Sequence, residues 1–251
     1  METYTIKTIE KVMAFATNFV PQNQSSFRGV INSKFDLTPS VGRLPSIGSP
    51  QLEIEREKFL LREFKMKAAM HVNIKPENDW EWLSLAQHYG LPTRLLDWTT
   101  NPLTALYFAT NHSIEELYSD EQLTDGAVYL LISHIYIDAS YHINPFDIEE
   151  TLEFHSPIIS DRVQNQSGSF TVHPNPRELF NTEKLTKFII PGELKREIQS
   201  RLSILNVVES NIYPGLDGIA KALKVKYYRE TVTNFGAFDS SHYAKKQIKG
   251  L

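Results

Sequence analysis

The stretch that decides the fold is LAQHYGLPTRLLDWTTNPLTALYFAT, which runs from Leu85 to Thr110. Its two ends are rich in apolar residues and predict buried helices. Between these ends the chain places His88, Arg94 and Asp97. A charged group in an apolar environment is unfavourable unless it is paired or hydrogen-bonded. These side chains therefore either hold the fold together or act on a ligand.

Both predicted helices carry signals at their termini. Asn101 is the predicted N-cap of the second helix and Pro102 its first residue, where a missing N–H is tolerated. The following PLTALYFA leaves almost no polar face, which is typical of a buried helix. In the preceding helix, NDWEWLSLAQHYG, Asp79 is the predicted N-cap and Gly90 lies just beyond the C-terminus. His88 is near that C-terminus, where the helix dipole favours a cation.

Apolar patterns elsewhere predict four strand regions and four more helices. The strand regions are FRGVI, GAVYLLIS, KLTKFIIP and two short strands within SPIISDRVQNQSGSFTVH. The helices are TIEKVMAFATNFV, QLEIEREKFLLREFKMKAAM, GELKREIQSRLSILNV and a short one from Asp217. The second of these helices is predicted to bury Leu52, Phe59, Leu60, Phe64 and Ala68, with its Lys/Glu run in solvent.

Strands and helices alternate without a regular βαβ order, which favours an α+β fold with a mixed or antiparallel sheet and flanking helices. The sequence has no internal repeat and no low-complexity linker. We therefore expect a single domain over residues 1–251, with a core of about 27–223. The polar residues 240–251 are predicted to form a loosely attached tail.

Composition excludes several classes of function. The chain has 251 residues, a formal net charge of −4 and no cysteine, which leaves out disulfides, thiolate catalysis and cysteine-bound metals. Its eight histidines lack metal-ligand spacing, so no metal site is expected. The charge gives no strong signal for nucleic acid. The charged N-terminal region and the lack of an apolar run of about 18 residues predict a cytoplasmic protein with no membrane partner.

Five blocks of the sequence occur in an order that identifies a family. They are SSFRGV (25–30), WLSLAQHYGLPTRLLDWTTNPLTALYFA (82–109), RVQNQSGSFTVH (162–173), KFIIP (187–191) with Lys195, and IYPGLDGIA (212–220). Together they resemble the FRG domain family of bacterial and phage-associated proteins, which is named after its Phe-Arg-Gly motif. The resemblance covers roughly Phe27 to Leu223. It implies a family without an established biochemical activity, with a role in phage defence or stress response as one expectation.

A second resemblance, to ADP-ribosyltransferases of the Arg–Ser–Glu type, rests on two short stretches. Phe27-Arg28-Gly29 is similar to their early Arg strand, and residues 97–100 followed by a helix are similar to their Ser-Thr-Ser strand end. The resemblance implies an ADP-ribosyltransferase-like fold with NAD as substrate and Arg28 on its pyrophosphate, since arginine pairs well with phosphate. Thr99 and Thr100 would bind the nicotinamide ribose.

This sequence departs from the ADP-ribosyltransferase pattern at the catalytic carboxylate. No Glu-x-Glu pair follows these stretches, and Glu183, before the strand KLTKFIIP, is the best carboxylate by order along the chain. If no carboxylate reaches the pocket, the expected protein is a non-catalytic ligand-binding or sensing module of the same fold. The candidate catalytic residues are Arg28, His88 and Glu183. The candidate binding residues are Arg28, Gly29, Arg94, Asp97, Thr99, Thr100, Asn101, Arg162, Gln166 and Ser167.

Each candidate also has a structural interpretation that the sequence leaves open. Arg94 and Asp97 are three residues apart and can pair with each other as a clamp inside the core. His88 and Asn101 can serve as helix-terminal residues. Arg162 and Gln166 can close a strand ladder rather than line a pocket. The predicted pocket is formed by the FRG strand, the PTRLLDWTT segment and the QSGSF turn.

Overall fold

The computed structural model describes residues 1–18, 25–72, 75–113, 116, 122–132, 136–138, 143–155 and 168–236. Within these residues a mixed sheet has the strand order β1-β8-β4-β2-β3-β7-β6-β5. The strands are β1 (Glu2–Thr5), β2 (Ser25–Val30), β3 (Leu95–Thr99), β4 (Gly126–Ile132), β5 (Tyr136–Asp138), β6 (Leu152–His155), β7 (Gly168–Val172) and β8 (Leu185–Ile190). The α+β prediction is confirmed.

Helices flank this sheet. They are α1 (Ile9–Asn18), α2 (Pro50–Ala68), α3 (Asp79–His88), α4 (Pro102–Thr110), α5 (Lys195–Ile204), α6 (Glu209–Ile212) and α7 (Leu216–Gly236), with 3-10 turns at Val41–Arg43 and Gly192–Leu194. The pairs β1–β8 and β5–β6 are parallel, and the remaining strand pairs are antiparallel. No helix of the described residues is long and apolar enough to cross a membrane.

Helix α4 lies directly on the sheet because glycines let its backbone approach. A Cβ atom on Gly29 would lie 1.9 Å from the carbonyl oxygen of Ala105, and one on Gly126 would lie 2.2 Å from that of Ala109. Distances this short leave no space for any side chain. The predicted start of this helix is confirmed, since the Asn101 side chain accepts a hydrogen bond from the backbone N–H of Leu103 at 2.9 Å.

Strands β2 and β3 separate immediately after they meet. Their register contains a single pair, Phe27 with Thr99, whereas β2 pairs with β4 along its whole length. Phe27 is fully buried in the apolar cluster under α1 and α4. Beyond that pair the two strands leave a gap in the sheet, and this gap positions the candidate site.

Arg94 is a structural residue at the centre of the fold. Its side chain is 0% exposed and pairs with Glu57 on α2 through two hydrogen bonds, Nε to Oε2 at 2.9 Å and Nη2 to Oε1 at 3.0 Å. Nη1 donates to the carbonyl oxygen of Pro145 at 3.2 Å. The guanidinium also lies over the Phe146 ring, 4.8 Å from its centre. The predicted clamp between Arg94 and Asp97 is therefore wrong, because the guanidinium pairs with Glu57 on α2 instead.

The buried face of α2 also differs from the prediction. Leu52 and Phe59 are about half exposed, whereas Glu53, Glu57 and Leu61 are buried. The hydrophobic pattern misleads here because the two glutamates are paired, Glu57 with Arg94 and Glu53 with Arg177 at 2.7 Å. Paired charges of this kind can occupy a helix face that packs against the core.

Several other local predictions also differ from the structure. The N-cap of α3 is Asn78 rather than Asp79, since its side chain accepts the N–H of Glu81 at 3.0 Å. Strand β3 was not predicted, because DW and TT interrupt its apolar pattern. Helix α7 is longer than the short helix expected from Asp217. The first short strand within SPIISDRVQNQSGSFTVH and the tail 240–251 lie outside the described residues.

Replacing Arg94 with Met should lower the free energy of unfolding by about 3–5 kcal/mol, because Glu57 would remain buried without its partner. Urea unfolding followed by circular dichroism measures the loss. Arg201→Ala is the matched control, since Arg201 pairs with Glu197 at 2.7 Å with both side chains about half exposed. That control should cost less than about 1 kcal/mol. Equal losses in the two variants would contradict the structural role of Arg94.

Candidate functional site

A cavity of about 240 Å³ opens where β2 and β3 separate. It lies between the C-terminal end of α3, the helix α4 and the first residues of β7. Its lining comprises Phe27, Arg28, Gly29, Gln87, His88, Asp97, Trp98, Thr99, Phe108, Gly168, Ser169 and Phe170. The FRG strand, the segment around Asp97 and the described part of the QSGSF turn, which are distant along the chain, thus border one cavity.

Arg28 brings a cation with spare hydrogen-bond donors into this cavity. Its Nη1 donates to the carbonyl oxygen of Asp97 at 2.6 Å, across the gap between the two strands. The same nitrogen lies 3.5 Å from the Asp97 carboxylate. Its Nε is buried and has no hydrogen-bond partner among the described residues. An arginine has five N–H donors, so this side chain has donors left for an acceptor in the cavity.

The Asp97 carboxylate is held by a chain of side-chain hydrogen bonds. Gln87, near the end of α3, donates from Nε2 to Oδ2 of Asp97 at 2.8 Å. The amide oxygen of Gln87 accepts the hydroxyl proton of Thr93 at 2.7 Å. The Asp97 side chain is 54% exposed, so its carboxylate is available to a ligand. The cavity therefore combines a cation and an oriented anion.

Aromatic and hydroxyl groups complete the lining. Phe108 on α4 is half-buried and supplies an apolar side beside Arg28. The hydroxyl oxygen of Thr99 accepts the backbone N–H of Asn101 at 3.1 Å, so it helps to shape the start of α4. His88 is the last residue of α3, and its ring meets the exposed Tyr89 edge-on with ring centres 4.9 Å apart.

The structure divides the predicted site residues into three groups. Arg28, Gly29, His88, Asp97 and Thr99 line the cavity. Arg94, Thr100, Asn101 and Glu183 do not line it. The remaining three, Arg162, Gln166 and Ser167, lie outside the described residues.

The residues of the second group have other positions. Arg94 is buried against Glu57, and Asn101 caps α4. Thr100 is exposed beyond the end of β3. Glu183 is exposed in the turn before β8 and is not among the residues around the cavity, because that strand lies two strands away from β2. Asp97 is the carboxylate that lines the cavity in the described part of the chain.

Gln87, Phe108 and Ser169 line the cavity and were missed by the sequence analysis. Gln87 gave a usable signal, since it is a polar residue in a helix that is otherwise buried along most of its length. Phe108 gave none, because an aromatic residue in a buried helix is more often part of a core. Ser169 was hidden by the choice of Ser167 within the same predicted turn.

A second cavity, of about 360 Å³, is lined by residues that include Glu153, Thr171 and His173. Glu153 is buried and accepts hydrogen bonds from the hydroxyls of Ser26 and Ser169, the latter at 3.1 Å. Ser169 also lines the first cavity, so a network of buried polar side chains connects the two.

His173 is held uncharged in this network. The Thr171 hydroxyl accepts the indole N–H of Trp98 at 2.9 Å and lies 2.9 Å from Nε2 of His173, to which it can donate its own proton. Burial, followed by the positive charges of Arg28 and Arg94, lowers the pKa of His173 to about 3. At neutral pH the imidazole is therefore a neutral hydrogen-bonding group.

Within the described residues no group of three or more histidine, aspartate or glutamate side chains is arranged to hold a metal ion.

Comparison with known proteins gives one match. The family model described as the FRG domain matches residues 23–117. This range contains β2, α3, β3 and α4, and with them Arg28, Gln87 and Asp97. Neither the curated proteins nor the solved structures include a significant match to the chain. The resemblance to the FRG family is thus confirmed over the part of the chain that contributes most of the cavity.

The stability of the protein should fall as the pH drops below about 6.5, the ordinary pKa of histidine. Below that value the unfolded chain takes up a proton at position 173 while the native chain, with a pKa of about 3, does not. The expected contribution is a loss of up to about 1.4 kcal/mol per pH unit. Chemical unfolding between pH 7 and 5 measures it.

In that measurement His173→Asn should reduce the slope, whereas the same change at the exposed His71 should leave it unaltered. His112, whose pKa is lowered mainly by burial, adds to the slope in the same direction in all three proteins. An identical slope in the wild type and His173→Asn would show that His173 does not carry this pH dependence.

Proposed function

We propose that this chain, which carries an FRG domain over residues 23–117, binds a nucleotide in the cavity at Arg28, with NAD as the first candidate. The observation that carries the proposal is a guanidinium with unused donors beside an exposed carboxylate, in a cavity with aromatic sides. A phosphate, a sugar hydroxyl and a planar ring are the three chemical features that such a lining is suited to bind.

The phosphate is assigned to Arg28. Guanidinium groups bind phosphate through paired, charge-assisted hydrogen bonds. Nη1 is directed toward Asp97, and the buried Nε has no partner in the part of the chain that the structure describes. A bound phosphate would supply the missing acceptor and offset the cost of burying that donor.

The size of the cavity favours one part of a dinucleotide. Sites for drug-sized ligands measure about 300–1,000 Å³, whereas this cavity measures about 240 Å³. We assign it to the ribose and phosphate next to one base, with Phe108 against the ring. The rest of a dinucleotide would extend outward past the exposed Tyr89 at the end of α3.

A catalytic, ADP-ribosyltransferase-like reaction on NAD is the second candidate function. The specific observation in its favour is Asp97, which supplies the carboxylate that Glu183 was expected to supply. A carboxylate beside the ribose would stabilise the positive charge that develops at its anomeric carbon as the bond to nicotinamide breaks. Nicotinamide leaves with the bonding electrons, and water or a nucleophile of the target forms the new bond to that carbon. A toxin-like or phage-defence role would follow from such a reaction. If the chain does not catalyse this reaction, the same cavity would bind the ligand of a non-catalytic sensing module.

Arg28→Ala should weaken NAD binding at least tenfold, because the phosphate loses its charge-assisted hydrogen bonds. Isothermal titration calorimetry on the purified chain measures the affinity. Arg28→Lys should recover only part of it, since an ammonium cannot pair with phosphate in a bidentate manner. Arg201→Ala, on the exposed side of α5, is the control and should bind as the wild type does. Unchanged affinity in Arg28→Ala would reject the site.

Release of nicotinamide from NAD separates the two candidate functions. A catalytic protein should turn over NAD, and Asp97→Asn should reduce the turnover about a hundredfold or more while the variant stays folded, since an uncharged amide stabilises the developing cation poorly. Saturable binding with no release of nicotinamide would leave the sensing module as the function.

A further inference from the structure

We propose that Thr93 and Gln87 are positioning residues that orient the Asp97 carboxylate and thereby make the cavity selective for ribose over 2-deoxyribose. This inference rests on the proposed nucleotide site and names the sugar as the part of the ligand that the site recognises. It is carried by the direction of three successive hydrogen bonds, which begin at the backbone of β3 and end at the carboxylate.

The first of these bonds fixes the hydroxyl of Thr93. Its oxygen accepts the backbone N–H of Leu95 at 3.1 Å, so its proton is free to be donated elsewhere. The residue is 2% exposed, and its own N–H donates to the hydroxyl oxygen of Ser40 at 3.0 Å. Its carbonyl oxygen accepts the N–H of Val41 at 3.1 Å. Thr93 is therefore held on every side that can form a hydrogen bond.

The second bond fixes which way the Gln87 amide faces. The Thr93 hydroxyl donates to Oε1 of Gln87 at 2.7 Å. With its oxygen committed to this donor, the amide must direct its NH₂ group to Asp97, where Nε2 lies 2.8 Å from Oδ2. The reverse orientation would place the amide oxygen against the carboxylate oxygen of Asp97 and would lose the hydrogen bond that Thr93 donates. Thr93 and the carboxylate together therefore hold Gln87 as a donor toward Asp97.

The third step leaves one carboxylate oxygen for a ligand. Oδ2 of Asp97 accepts from Gln87 and is also the oxygen 3.5 Å from Nη1 of Arg28. Oδ1 accepts no hydrogen bond from the described residues, and the side chain is 54% exposed at the cavity. An oriented, ionised acceptor of this kind binds a hydroxyl group and offers nothing to a C–H group in its place.

The position of this acceptor indicates a sugar phosphate. Arg28 is suited to an anionic group, and Asp97 is suited to a hydroxyl within a few ångströms of that group, because the two side chains are in contact. A ribose 5-phosphate unit carries a phosphate and adjacent hydroxyls at C2 and C3, and we assign the C2 hydroxyl, which 2-deoxyribose 5-phosphate lacks, to Asp97. Sites built to hydrogen-bond a hydroxyl discriminate strongly against analogues without it, since the protein group is then left unpaired.

The experiment compares two probes, ribose 5-phosphate and 2-deoxyribose 5-phosphate, by calorimetric titration of the full chain. The wild type should bind the ribose compound at least tenfold more tightly. Thr93→Val should reduce this ratio toward one by weakening ribose binding alone. Thr93→Ser, which keeps the hydroxyl, should retain the wild-type ratio. A residue that served folding alone would lower both affinities together and leave their ratio unchanged.

Gln87→Leu is the second test and keeps the inference falsifiable if Thr93→Val does not fold. It should also bring the ratio toward one, because it removes the donor to Asp97. A wild-type ratio near one, or an unaltered ratio in Gln87→Leu, would overturn the inference. If both probes bind equally and depend on Arg28, the nucleotide site survives while the inference fails. If neither probe binds although NAD binds in an Arg28-dependent manner, the inference fails and the nucleotide site stands. If NAD does not bind either, both proposals fail.

Discussion

The contact on which the cavity depends is the one between the backbone of α4 and the glycine of the Phe-Arg-Gly motif. A Cβ atom on Gly29 would lie 1.9 Å from the carbonyl oxygen of Ala105, so the helix backbone already occupies the space of a side chain there. This contact sets the height of α4 above β2 and so places Phe108 beside Arg28. The three residues of the motif have different physical roles: Phe27 is buried in the core, Arg28 reaches the cavity and Gly29 receives the helix.

A second constraint keeps the other side of the cavity in place. The buried pair of Glu57 and Arg94, the residue immediately before β3, joins the start of this strand to α2, and Asp97 follows three residues later within β3. Arg28 and Arg94, both predicted as binding residues, thus have separate roles. Arg94 holds β3 in position, and Arg28 meets that strand across the gap through the carbonyl oxygen of Asp97. The structural charge of Arg94 thus lies immediately before the strand that carries the candidate ligand-binding charge of Asp97.

The sequence predicted the type of most elements, because periodicity and caps are local properties. The start of α4 at Asn101 and the strand at Gly126–Ile132 are examples. What it could not predict depended on partners distant along the chain. The burial of Glu57 is favourable only because Arg94 reaches it, 37 positions away, and periodicity treats that glutamate as a solvent-facing residue.

The candidate site shows the same limit. Arg28 and Asp97 were candidates from the sequence, since a charged residue in an apolar stretch is visible there, and the structure places both around one cavity. Their contact with each other was not visible, because the register between β2 and β3 is a single pair. The proposed role of Gln87 and Thr93 depends on the direction of their hydrogen bonds, and the residue pattern of a sequence does not specify that direction.

Trp98 links this geometry to an optical measurement. The residue borders the candidate cavity, while its buried indole packs against Phe180 and donates its N–H to Thr171 on the neighbouring strand. The other two tryptophans, Trp80 and Trp82, are buried in the apolar cluster around α3 and do not line the cavity. Trp98 is therefore the tryptophan that belongs to the cavity. Its emission gives the protein a built-in spectroscopic reporter, with no label attached, of whatever molecule occupies the gap between the strands.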